Sequence, residues 1–106
     1  MKRADLAGKL ELIGRMFEID GMTDILLKFD EKTTSVKFNA LVIQMESLIM
    51  QKSTAVADQL IMMHTGKEQE EVDKMQDAEY ANALKDTIIT DVIGFFASSP
   101  HTDGKK

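Results

Sequence analysis

Ser35–Gln51 reads SVKFNALVIQMESLIMQ, and its apolar residues Phe38, Leu41, Met45, Leu48 and Ile49 recur at three- and four-residue intervals. That period fits the 3.6-residue turn of an α-helix and not the two-residue alternation of a strand. Thr34 or Ser35 stands where a helix start needs a side-chain oxygen for its unpaired N–H groups. A helix is therefore predicted here, and the fold is all-α if the flanking segments share the pattern.

Most of them do. Upstream, Arg3–Phe17 repeats Leu6, Leu10, Ile13 and Phe17 at helical spacing, with Met16 beside them and Asp20-Gly21 as the stop. Downstream, a polar break from Gln51 to Thr54 precedes AVADQLIMMHTG, which sets Val56, Leu60 and Met63 on one face and ends at Gly66, a residue suited to a left-handed helix cap. Ser53-Thr54 lowers helix propensity without forbidding it, which leaves open one bent helix or two. From Glu68 to Ala97 one long helix is predicted on Val72, Met75, Leu84, Ile88, Val92 and Phe95, with a gap near Glu79. Acidic Glu68 to Asp73 suit its N-terminal end, and Pro100 marks the stop. Residues 22–38 are ambiguous. TDILLKF can be capped by Thr23 or Asp24 as a short helix, yet Ile25, Leu27 and Phe29 alternate as in a strand that could pair with TSVKF. Helix or irregular structure is favoured over a β-hairpin, because an isolated two-stranded hairpin is marginal in water. The predicted architecture is a compact bundle of about four helices over residues 1–97, followed by a flexible polar tail at 98–106.

Composition narrows the function classes. A chain of 106 residues holds one core. Its 43% hydrophobic and 29% charged residues are ordinary for a globular protein. Apolar runs such as Phe38–Met45 are far too short to cross a bilayer. MKRADLAGKLEL starts basic, but Asp5, Lys9 and Glu11 interrupt it, so no signal peptide is expected and a cytoplasmic location is the default. The absence of cysteine excludes disulfides, thiolate metal sites and cysteine nucleophiles. The net charge is −5, with Glu68, Glu70, Glu71, Asp73, Asp77 and Glu79 set against Lys67 and Lys74. An acidic chain without a basic stripe is a poor nucleic-acid binder, whereas a basic protein surface suits it.

No residue pattern carries chemistry. His64 precedes Gly66, His101 lies in the tail, and neither has a second histidine three or four residues away to share a metal. The carboxylates fall in a solvated run instead of between apolar walls, so none is set up as a desolvated catalytic acid. Gly8, Gly14 and Gly21 are too widely spaced for a phosphate loop, and Ser98-Ser99 has no activating histidine. The chain is expected to be no enzyme and to need no cofactor or metal.

Contact is the alternative. Eight methionines are present, and Met45, Met50, Met62, Met63 and Met75 fall in the middle helices. Such unbranched, polarizable side chains fill cores most often, but they also repack against varied partners. Ile61, Met62 and Met63 are consecutive and cannot all face inward. Leu26-Leu27, Val42-Ile43 and Ile88-Ile89 likewise place apolar side chains on two faces, so a homo-oligomer or another partner is expected.

A small acidic helical chain whose last helix reads EYANALKDTIITDVIGFF before a polar ending DGKK resembles the tail assembly chaperones of long-tailed bacteriophages. The likeness lies in length, helical content and the C-terminal third. It implies a cytoplasmic, non-enzymatic protein that coats the tape measure protein and recruits tail tube subunits. In that family a ribosomal frameshift near the gene's end often appends a further domain, and Gly104-Lys105-Lys106 is compatible with a slippery sequence. Met62, Met63, Phe95 and Phe96 are the expected partner-binding residues. The competing reading is a small inhibitor or immunity-type protein that covers a basic surface with the acids of 68–79.

Overall fold

The computed structural model describes residues 3–30 and 32–94. In chain order they form α1 (Arg3–Phe17), α2 (Met22–Leu26), α3 (Ser35–Lys52), α4 (Thr54–Thr65), α5 (Gln69–Asp73), α6 (Asp77–Thr87) and a π-helical run, π1 (Ile88–Ile93), with no strand among the described residues. No helix among them is long and apolar enough to cross a membrane. The fold is an all-α bundle. Residues 95–106, which hold Phe95, Phe96, His101 and the predicted tail, lie outside the described residues.

α3 begins where its sequence says it should. Thr34 is extended, and its Oγ1 accepts the N–H of Lys37 at 3.2 Å. The inward stripe of Leu41, Val42, Met45 and Ile49 is buried. α3 and α4 are two helices, because extended Ser53 ends one and starts the other. Its N–H bonds the Ile49 carbonyl at 2.7 Å and its Oγ accepts the N–H of Val56 at 3.2 Å. α4 carries buried Val56, Ala57, Leu60 and Ile61 and packs against α1, α3, α5 and α6, so it is the centre of the bundle. Gly66 closes it in the left-handed region (φ 76°), donating to the Met62 carbonyl at 2.9 Å.

Residues 22–38 do not form a hairpin. α2 lies against α3, and the connection after it is held by Asp30, whose Oδ1 accepts the Lys32 N–H at 2.8 Å while its own N–H donates to Thr33 Oγ1 at 2.8 Å. The rings of Phe29 and Phe38 still meet edge-to-face, with centroids 5.3 Å apart.

Two expectations need correction. On α1 the buried face is Leu12, Ile13 and Met16, whereas Leu6 and Leu10 are 39% and 44% exposed. Lys9 stands on that face one turn before Ile13, with its Nζ 3.2 Å from Asp91 Oδ1, and Leu6 and Leu10 fall to the edge. The single helix from Glu68 to Ala97 is in fact broken at Lys74–Gln76 and widened after Thr87. Val72 and Leu84 are both buried in the core, yet twelve residues of unbroken helix would turn them about 120° apart. The break realigns them. The start of α5 is secured when the Glu71 carboxylate accepts the Glu68 N–H at 3.0 Å. The widening follows from buried Thr87, whose hydroxyl donates to the Ala83 carbonyl at 2.7 Å, and from the β-branched Ile88, Ile89, Thr90, Val92 and Ile93 that come next.

Candidate protein-binding groove

The break between α5 and α6 opens a groove of about 400 Å³ lined by Glu46, Met50, Asp58, Val72, Asp73, Met75, Asp77, Tyr80, Ala81 and Leu84. Four segments build it. α3 supplies Glu46 and Met50, α4 supplies Asp58, α5 and the break supply Val72, Asp73 and Met75, and α6 supplies the rest. Buried Val72 and Leu84 make an apolar floor that belongs to the core, and the softer thioethers of Met50 and Met75 flank it. Four carboxylates stand around this floor with no lysine or arginine among the lining residues.

Two of the four carboxylates, Asp58 and Asp73, are held by hydrogen bonds. Asp58 accepts the Tyr80 hydroxyl at 2.6 Å and the Gln69 side-chain amide at 2.9 Å, and that amide also donates to Asp73 at 2.9 Å. Burial, the hydrogen bond to Asp58 and the charges of Asp58 and Asp73 push the Tyr80 phenol above its usual range, so it remains a donor. Burial also pushes the Glu46 carboxyl up, against the opposing pull of the Lys85 ammonium. The groove thus offers apolar surface, soft sulfur and fixed acceptors. It can take an apolar side chain from a partner while its rim accepts flanking cationic or N–H groups.

A separate polar cluster sits on π1. Asp91 receives Lys9 Nζ of α1 at 3.2 Å on one oxygen and lies 3.1 Å from His64 Nδ1 of α4 on the other. It pins three elements together, and this accounts for His64 at the end of α4. Among the described residues no three His, Asp or Glu side chains converge as a metal ion would need.

The expected partner-binding residues are placed differently from the groove. Met62 and Met63 are half-buried against the core beside fully buried Ile61, and neither lines the groove; Phe95 and Phe96 lie outside the described residues. The methionines that do line it are Met50 and Met75. Their signal was present in the sequence as methionines of the middle helices, with Met75 inside the acidic run, but the α5–α6 break that brings them together was not. No protein-family model, curated protein or solved structure matches this chain.

Proposed function

We propose that the chain is a non-enzymatic tail assembly chaperone that binds the tape measure protein of a long-tailed bacteriophage in the host cytoplasm and recruits tail tube subunits. The observation that carries the binding role is the groove itself: an apolar, methionine-flanked floor inside a ring of four carboxylates. A long helical client presents apolar residues at turn spacing, and Met50 and Met75 can repack around whichever side chain arrives. The excess of acids keeps such a complex soluble. The resemblance in length, helical content and final helix supplies the phage identity of the client.

The acidic rim favours a second reading, a small inhibitor that covers a basic protein surface. Salt separates the two, since rim-dominated binding weakens steeply with ionic strength and floor-dominated binding does so far less. The direct test is co-purification with a tape measure protein of a long-tailed bacteriophage. Retention at micromolar concentration that survives about 500 mM salt supports the chaperone. No retention at that concentration overturns it.

A further inference from the structure

The outer face of α3 is a second apolar surface that touches the groove only at Met50. Val36, Ala40, Ile43, Ser47 and Met50 are all exposed and recur at alternating four- and three-residue steps, the spacing of a helix–helix seam. At about 100° per residue they share an arc of about 80° along the full helix. No described residue covers it, and Val36 and Ile43 are 80% and 57% exposed.

Charge selects the occupant. The chain carries −5, so two copies repel in most approaches. From Ser35 to Gln51, however, the only charged residues are Lys37 and Glu46, one of each sign. Lys37, Gln44 and Gln51 flank one side of the seam, and Asn39 and Glu46 the other. In an antiparallel pair of α3 helices the like flanks face each other, which sets Lys37 against Gln51, Gln44 against Gln44, and Glu46 against Asn39. No like charges meet. The seam is also self-complementary about Ile43, with Val36 of one copy over Met50 of the other, and with small Ala40 and Ser47 allowing close approach. A parallel pair would instead bring the two acidic grooves, both at the Met50 end, side by side.

We propose that Val36, Ile43 and Met50 form the seam of a two-fold antiparallel homodimer, α3 on α3, centred on Ile43. One helix pair is a small interface beside the roughly 800 Å² per partner of a standard one, so the dimer is expected to be weak and reversible. Because Met50 serves both surfaces, each groove is bordered by the start of α3 from the second copy. The proposal is independent of which client fills the groove.

Sedimentation velocity from about 5 to about 500 μM is the test, spanning the range where such a dimer forms. The wild-type mass is expected to rise from 11.9 kDa toward twice that value. Ile43→Glu, at a solvent-exposed site, should keep its circular dichroism and melting temperature and stay monomeric. The chain lacks cysteine, so Ile43→Cys alone should oxidise to a linked dimer. Val36→Cys should link only when mixed with Met50→Cys. A wild-type monomer at every concentration overturns the proposal and leaves the face to a different protein. So does an Ile43→Glu variant that still dimerises, or a Val36→Cys variant that links to itself faster than Ile43→Cys does.

Discussion

The Tyr80 hydroxyl on α6 donates a 2.6 Å hydrogen bond to Asp58 on α4, and both residues line the groove. Tyr80→Phe removes the donor and leaves Asp58 with Gln69 alone. The expected loss is about 1 kcal/mol in urea denaturation, because water can reach the partly exposed carboxylate. The wild type should also lose stability as pH rises above 10.0, the ordinary phenol value, since the unfolded chain releases that proton first and the folded chain holds it. The slope lies below the limit of about 1.4 kcal/mol per pH unit, since the phenol is partly solvated. A Tyr80→Phe variant with the same alkaline slope as the wild type would contradict the assignment, and the single tyrosine makes the absorbance titration direct.

Glu46 gives a prediction on the acid side. Its carboxyl is raised above 4.5 by burial, with Lys85 opposing, so the folded state holds this proton longer than the unfolded one. The associated stability is complete below 4.5 and is lost as pH rises through the raised value. Glu46→Gln should therefore gain melting temperature relative to the wild type as pH goes from 4 toward 7, measured by calorimetry across that range. A difference that stays flat removes the desolvation argument.

The groove acids should matter to binding more than to folding. Asp73→Asn with Asp77→Asn removes two rim charges and little buried surface, since both residues are exposed. Affinity for a client bearing lysine or arginine should fall about tenfold at 50 mM salt, with the gap closing near 500 mM. Isothermal titration at both salts reads this out. Equal affinities at low salt would show that the rim is not in the contact.

Two glycines should respond with opposite signs. Gly14 lies in α1 with open space where a Cβ would go, so Gly14→Ala should stabilise by about 0.5–1 kcal/mol. Gly66 has equal space but sits at φ 76°, so Gly66→Ala should cost about 1 kcal/mol through backbone strain alone. Thermal melts of both variants check the pair.

The helices were legible in proportion to how local their causes are. Thr34, Ser53 and Gly66 act on backbone groups within a few residues, and each stands at a helix end in the structure. The stretch after Glu68 was harder because its break is caused at a distance. Nothing between Lys74 and Gln76 forbids a helix, and only the need to bring Val72 and Leu84 to one core makes the turn. The gap near Glu79 was its trace. The same holds for α1, where Leu6 and Leu10 fit the helical stripe but Lys9 shares the packed face and meets Asp91, eighty-two residues away. The groove inherits this limit, because it exists only where the unforeseen break lies. Met50, Met75, Asp73 and Asp77 could be named from the sequence, but Glu46, Asp58 and the convergence of all six could not.

The π run after Thr87 has a consequence for how this chain can vary. Its Gly94 N–H reaches the Ile89 carbonyl five residues back, one more than an α-helix allows. Deleting a single residue between Ile88 and Asp91 lets the backbone relax to an ordinary α-helix with its hydrogen bonds intact. Because the wider turn has already absorbed one residue, the deletion leaves Asp91 near its present facing toward Lys9 and His64, and Val92 toward the core. This stretch therefore carries one residue of slack. Loss of one residue here is tolerated, whereas an insertion has no second wide turn to take it up.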